Sequence, residues 1–506
     1  MSFAPGKHAQ EGYPADLRIE ADVCVIGAGA GGCAAAAALA QAGLKVAVLE
    51  EGRHWEPRDF QPDTLWAFDH LYQDCGMRSL RGNAVIPLPG GRGVGGSTLI
   101  NSAICFRTPP EIIDLWRNEY GCDMVTRERF GQYFERIWKT LGVTVNPVAV
   151  QRNNNLIFKQ GAEALGLKGA FMERSAPGCV GCGICQYGCP SGGKASVDRT
   201  FLAEALRTRR VGVYADCRVR SAETDGDRVV AVTGQVLHGA TQAPVGTVRV
   251  KADTFLLSGG PIGSPLFLLA NGLAHREHCG AHLVVHPATS LIARFEQDIV
   301  PWRGVTQGYY VDCWDRGFLL QTYSLTPDQY YLVFQTPNGR ETMRHVGDLR
   351  HMASAGALIH DQDSEGRVQH TPAGPDLRYH LGEGDKRKLI DGMRLGAEVF
   401  FAAGAKEVYP GAMGVSGTIR PGDDVAAGLP YDLKPPNMLL YASHPMGTCR
   451  MGADPEQSVV DPQGRVWGWA NLRVADASVF PTSLGVNPQV TTMAMGLMVA
   501  ESIASA

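Results

Sequence analysis

No apolar stretch in the 506 residues approaches the roughly 20 that a bilayer core requires, so no membrane span is expected. The first twenty residues carry Lys7, His8, Glu11, Asp16, Arg18 and Glu20 and no apolar core, which gives no reason to read a secretory signal there. Charge of one sign is scarce too. The formal net charge is -4, and the densest basic stretch, Arg207, Thr208, Arg209 and Arg210, reads as a solvated helix face, so nucleic acid is not an expected partner. Repeats and low-complexity linkers are missing as well. What remains, 44% hydrophobic and 19% charged, is ordinary globular composition with enough chain for two or three domains. Without an export signal the expected compartment is the cytoplasm, although export beside a partner with its own signal stays open. In a reducing compartment, thirteen cysteines point to metal or redox chemistry in preference to disulfides.

Near the start of the chain, ADVCVI (Ala21–Ile26) reads as a buried strand. Gly27-Ala28-Gly29-Ala30-Gly31-Gly32 follows at once and opens the alanine-rich helix CAAAAALAQAGL. In that order Gly27 allows the tight turn, Gly29 lets backbone approach a pyrophosphate, and Gly32 lets helix and strand pack closely. A second strand, LKVAVLE, ends at Glu50, where a carboxylate can accept from ribose hydroxyls; Glu51 is the neighbouring alternative. The pattern predicts a dinucleotide site and leaves FAD and NAD both open.

Four cysteines, Cys179, Cys182, Cys185 and Cys189, are spaced C-x2-C-x2-C-x3-C and followed by Pro190. This is the run in which ferredoxins hold iron-sulfur clusters, with the fourth cysteine serving the other cluster in two-cluster proteins. A 3Fe-4S cluster on three of them, or a 4Fe-4S cluster with Cys189 or a distant ligand, would satisfy the spacing. Zinc fits less well, since its structural sites draw two knuckles from a longer loop. Structural or disulfide-linked cysteines are the remaining alternative. The other nine cysteines read as core residues.

PGGRGVGGSTLIN (Pro89–Asn101), SGGPIGSPLFLLANGLA (Ser258–Ala274), SHPMGTCRMG (Ser443–Gly452) and NLRVADASVFPTSLGVNPQVTTMAMGLMVA (Asn471–Ala500) occur in that order. With them the chain resembles the glucose-methanol-choline (GMC) oxidoreductases over nearly its whole length. Within that family it is most similar to long-chain fatty alcohol oxidases and their bacterial dehydrogenase relatives, which share the GCPSGxK surroundings of Cys189. Three features depart from the family pattern: Glu51 after the ribose acid, His282 in GAHLVVHP, and NGLA in place of the more usual SGIG.

The resemblance implies FAD, and an α/β (α+β overall) architecture: a discontinuous Rossmann-like FAD-binding domain with an antiparallel-sheet substrate domain. The cofactor domain is expected at 17–105, 196–295 and 441–506, a helical and cysteine-rich excursion at 106–195, and the substrate domain at 296–440. There, TQGYYVDC, FLLQTYS and YYLVFQT read as strands, and GDKRKLIDGMRLGAEVFFAAGA as a covering helix. Trp302, Tyr309, Tyr310, Trp314 and Phe318 are candidate pocket walls or plain core.

By family position His444 is the base for an alcohol hydroxyl and Asn487 its hydrogen-bonding partner. The resemblance also places Asp476 at the flavin ribityl or phosphate region, Gly96, Ser97 and Asn101 along the isoalloxazine, and the backbone of Val219 at the adenine. A helix opening at Pro488 and Gln489 would aim its positive end at the flavin pyrimidine. His286 and Pro287 match a family motif, but His286 reads as a structural histidine. The expected activity is oxidation of a small-molecule alcohol by hydride transfer to flavin N5, with electrons leaving through an iron-sulfur cluster to a cytochrome, quinone or other acceptor. The alternatives are an oxygen-using oxidase with a structural cysteine loop, a flavin-retaining lyase or photodecarboxylase, and a non-catalytic flavin and iron-sulfur electron carrier.

Overall fold

The computed structural model describes residues 3–505 except 334–338, 414 and 416. Its first sheet is built around Asp16–Ile26. That strand opens with alternation, Leu17, Ile19 and Ala21 inside and Asp16, Arg18 and Glu20 outside, and closes on the continuously buried Cys24 and Val25. The change marks where the sheet passes from one open face to cover on both.

Strands Gly6–His8, Val211–Tyr214, Val46–Leu49, Asp16–Ile26 and Pro244–Leu257 lie side by side in that order, all parallel. Leu472–Val474 joins in parallel on the far side of Phe255–Leu257. The other half of Pro244–Leu257 carries an antiparallel ribbon of Arg228–Leu237 and Cys217–Asp225. The helices Ala30–Gln41 and Gln489–Ala504 pack directly on each other. They approach so closely that a Cβ on Gly496 would lie 2.4 Å from the carbonyl oxygen of Gly31.

The second sheet runs Glu407–Pro410, Leu291–Arg294, Met352–Ile359, Phe318–Thr322, Tyr309–Cys313 and Gly169–Phe171, antiparallel throughout. Ala288–Thr289 and Leu440–Tyr441 attach to it. Glu383–Ala402 covers it, burying Leu389, Ile390, Met393, Val399 and Phe400.

The structure differs from the sequence reading in four places. The first sheet begins at Gly6, ahead of residue 17. Ala288–Thr289 and Leu291–Arg294 belong to the antiparallel sheet although they precede residue 296, and Gly169–Phe171 supplies its edge from inside the excursion. The stretch read as the strand YYLVFQT is helical over Pro327–Val333; residues 334–336 lie outside the described residues. β-branched and aromatic content favoured a strand there, but Pro327 at the first helical turn and Asp328 behind it open a helix. Finally, Cys75 is exposed, whereas the other eight scattered cysteines are buried.

Candidate active site

A cavity of about 490 Å3 runs along the carboxyl ends of the parallel strands, the place where open α/β sheets receive their ligands. Its wall includes Gly27, Gly29, Glu50, Val219, Asp476, Gly96, Ser97, Asn101, His444, Asn487, Pro488 and Gln489. Gly27 holds φ +107. A Cβ on Gly29 would meet no atom within 4 Å and would stand in the cavity itself. Gly32 is not on the wall. Its Cβ would fall 2.1 Å from the carbonyl oxygen of Gly27, so it serves the contact between turn and helix.

Glu50 is buried and ties three loops together, accepting from the N–H of Ala28 at 2.9 Å, Gly52 at 2.9 Å and Gly93 at 3.2 Å. Burial and the neighbouring Glu51 push its carboxyl up to about 7. Glu51 is engaged elsewhere, paired with Arg218 at 2.9 Å. Asp476 accepts from Gly260 N–H at 2.9 Å, Ser264 Oγ at 2.6 Å and Ser478 N–H at 2.7 Å, which fixes the loop after Leu472–Val474 against the helix Gly260–Ala270. A dinucleotide fits this arrangement: an open backbone cradle at Gly29, an acid beyond the second strand, and a single cavity whose wall also holds Asp476 and a pair of polar side chains.

That pair is His444 and Asn487. Nε2 of His444 lies 3.3 Å from Nδ2 of Asn487, and Gln321 donates to Asn487 Oδ1 at 2.8 Å. Nδ1 of His444 faces Nδ1 of His286 at 3.3 Å. His286 in turn accepts at Nε2 from the N–H groups of Leu484 at 3.1 Å and Gly485 at 2.8 Å. Burial lowers His444 to about 4 and pushes His286 well below the ordinary imidazole range, so both are neutral near pH 7. Buried Asp361 accepts from the backbone of Val285 and His286 and from Tyr379 and Ser483, bracing this corner. Asn101 donates to Gln489 Oε1 at 2.9 Å and so links the glycine-rich loop to the last helix.

Residues that sequence reasoning missed or set aside are therefore His286, Gln321, Gln307 and Arg78; the last two also line the cavity. The HP pair in GAHLVVHP was a signal for His286, while Gln321 lies in an ordinary strand and gave none. Trp302, Tyr309, Tyr310, Trp314 and Phe318 do not line the cavity. Tyr309 and Phe318 are core, and Tyr310 and Trp314 pack against Phe106 and His360.

A second, smaller cavity is lined by Cys179, Cys182, Cys185, Cys189, Arg174 and Lys194, among others. All four cysteines are free. Burial works against ionising Cys185, but Arg174 and Lys194 outweigh it and hold the thiol below its ordinary value.

The family model described as GMC oxidoreductase matches the chain in two parts, residues 68–288 and 362–496. A further model, pyridine nucleotide-disulphide oxidoreductase, matches residues 21–69. An uncharacterized GMC-type oxidoreductase of Mycobacterium tuberculosis is 34% identical over 95% of this chain and 75% of its own length. Another, from Sinorhizobium fredii, is 30% identical over 97% and 96%. A long-chain-alcohol oxidase of Arabidopsis thaliana is 27% identical over 96% of this chain and 67% of its own. Among solved structures, a pyridoxine 4-oxidase from Mesorbium loti superimposes with a TM-score of 0.73 at 16% identity, covering 96% of this chain and 99% of that one. A formate oxidase of Aspergillus oryzae gives 0.73 at 16% identity, covering 97% and 99%.

Proposed function

The chain belongs to the GMC oxidoreductase family, and from that premise we propose that it binds FAD and oxidises an alcohol to an aldehyde or ketone. The observation that carries this reading is the meeting of His444 and Asn487, 3.3 Å apart, on the wall of the cavity that begins at Gly27, Gly29 and Glu50. The similarity to an oxidase named for long-chain alcohols supports an apolar alcohol as substrate, and FAD modification is described for the formate oxidase that shares the fold. Bound FAD would supply the hydride acceptor. Gly27, Gly29, Glu50, Val219, Asp476, Gly96, Ser97, Asn101, Pro488 and Gln489 would hold it. The alcohol's electrons then leave by way of the cysteine-lined cavity to an external acceptor.

His444 and Asn487 would meet the substrate oxygen. Asn487, anchored through Gln321, orients and hydrogen-bonds that oxygen, and His444, uncharged at neutral pH, is positioned to take the hydroxyl proton as base. One contact favours a second role for the same histidine. Because His286 accepts two backbone N–H groups at Nε2, its own proton lies on Nδ1 and is aimed at Nδ1 of His444. A neutral His444 then carries its proton on Nε2, which requires the Asn487 amide to turn its Oδ1 and not its Nδ2 toward that nitrogen, and donates to the substrate oxygen, while the hydroxyl proton leaves to water.

The test is anaerobic reduction by alcohols, followed as loss of the flavin's visible absorbance. His444→Ala should retain FAD and lose bleaching by a factor of about 10² or more. His444→Gln, which can donate but not act as base, separates the two roles: activity recovered points to the donor and activity lost to the base. Unimpaired bleaching in His444→Ala removes both. No bleaching of the unmodified protein by aliphatic, aromatic, sterol or sugar alcohols leaves a non-catalytic electron carrier as the reading.

A further inference from the structure

We propose that the cysteine-lined cavity holds one cubane iron-sulfur cluster ligated by Cys179, Cys182, Cys185 and Cys189, set between the flavin cavity and the protein surface. Its role as an electron outlet rests on the flavin reading above; the site itself does not. Spacing alone left zinc, a disulfide and a plain structural loop as competitors. Two features of the structure decide among them.

The first is charge. Arg174 is completely buried and Lys194 is 3% exposed. Neither forms an ion pair with a carboxylate among the described residues. Arg174 donates to the carbonyl oxygen of Ser102 at 2.8 Å, to Asn146 Oδ1 at 2.7 Å, and to the sulfurs of Cys179 and Cys185 at 3.6 and 3.5 Å. Lys194 Nζ donates to the carbonyl oxygens of Leu99, Asn101 and Cys185, and its backbone N–H donates to the sulfur of Cys189 at 3.2 Å. Among the described residues only buried Asp198, which acts on Lys194 without a direct ion pair, offsets these two buried cations, and that leaves them unfavourable. Neutral thiols or disulfides in this cavity would leave them so. A cubane in its 2+ state with four thiolate ligands carries a net charge of -2, which balances the pair.

The second is spread. Among the described residues no three of these sulfurs lie within 4.8 Å of one another. A tetrahedral zinc with bonds of about 2.3 Å would hold its sulfurs about 3.8 Å apart. A cubane bears its thiolates on four separate irons and sets them wider, which is the arrangement the C-x2-C-x2-C-x3-C run serves.

The placement suits electron transfer. Ser102 and Asn101, whose carbonyls hold Arg174 and Lys194, both line the large cavity, so the two cavities share a wall. On the outer side Cys182 is exposed and Val180 is 61% exposed. Oxidation of one alcohol to its carbonyl releases two electrons and two protons. A cluster held by these four thiolates would supply a one-electron relay between the flavin cavity and the surface. Two molecules of a one-electron acceptor of the cytochrome class are reduced per alcohol, and the protons go to solvent.

The experiment is iron and acid-labile sulfide analysis of the full chain purified anaerobically with its flavin, with EPR before and after addition of an alcohol or of dithionite. About four irons and four sulfides per chain are expected, with a paramagnetic signal appearing on reduction. Stoichiometric zinc, iron without sulfide, or neither metal after anaerobic reconstitution overturns the proposal. Three irons with four sulfides overturns the four-thiolate ligand set. Flavin bleaching by alcohol in a protein without iron removes the cluster and leaves the alcohol reading intact. A cluster reducible by dithionite but by no alcohol does the reverse. Cys185→Ser should lose the EPR signal and keep the flavin absorbance. Arg174→Gln, or Lys194→Met where the former does not fold, should shift the cluster potential to more negative values, because a reduced cluster of charge -3 loses a compensating cation. An unchanged potential in both overturns the charge argument.

Discussion

Among the described residues His444 has no carboxylate partner, and its buried surroundings favour the uncharged imidazole down to about pH 4. The sign follows directly. A depressed pKa means that the neutral form persists through mild acid and is lost only when pH falls through the folded value. Alcohol-driven flavin reduction is therefore expected to be level between about pH 5.5 and 8 and half lost near about 4, as read by anaerobic stopped-flow spectroscopy. A half-point near 6.5 would mean that water reaches this imidazole freely. At this scale the sequence was most readable where one residue type has one use: Gly27, Glu50, His444 and Asn487 all reach the cavity wall. Arg174 and Gln321 were silent because their importance comes from what they touch. An arginine facing two sulfurs looks, in sequence, like any arginine.

Among the elements, the turn into Ala30–Gln41 offers a contrast between two neighbouring glycines. A Cβ at position 29 meets nothing, and φ there is -82, which alanine accepts. A Cβ at position 31 would lie 2.0 Å from a backbone carbonyl that cannot move without shifting the loop of Asp476. Gly29→Ala should leave the melting temperature of flavin-free protein within about 2 °C of the parent and weaken FAD retention at least tenfold. Gly31→Ala should destabilise the protein itself by about 1–3 kcal/mol, the range for overpacking. Calorimetry and a cofactor dissociation assay separate the two. Elements with one dominant period were legible from sequence: the first two strands, the alanine-rich helix and Glu383–Ala402. Pro327–Val333 was not, since a short aromatic run suits strand and helix alike until its N-terminal proline is given weight.

For the whole molecule, acid is the relevant stress. His282 and His360 are lowered to about 4 by burial, as His444 is, and burial also pushes His286 well below the ordinary imidazole range. Unfolding exposes all four to water, where they protonate near 6.5, so the unfolded chain binds more protons below that pH. Stability is therefore present above 6.5 and drains as pH falls toward 4, at up to about 1.4 kcal/mol per pH unit for each histidine. Glu50, raised to about 7, gains its proton in the folded state over the same window and offsets about one of the four, so denaturant midpoints measured between pH 7 and 4.5 should still fall, and a flat profile would show that these rings are solvated. Two sheets and their order of motifs could be anticipated at this scale. The exchange of strands across the expected boundaries could not, because pairing between Ala288–Thr289, Gly169–Phe171 and the strands after residue 296 is set by tertiary contact and leaves no local mark.

Leu472–Val474 and the helix Gln489–Ala504 close a sheet and a cradle whose first parts were laid down more than four hundred residues earlier. A nascent chain emerging from the ribosome therefore exposes an unfinished nucleotide groove for most of its synthesis. A complete dinucleotide cradle exists only after that last helix has been translated and docked.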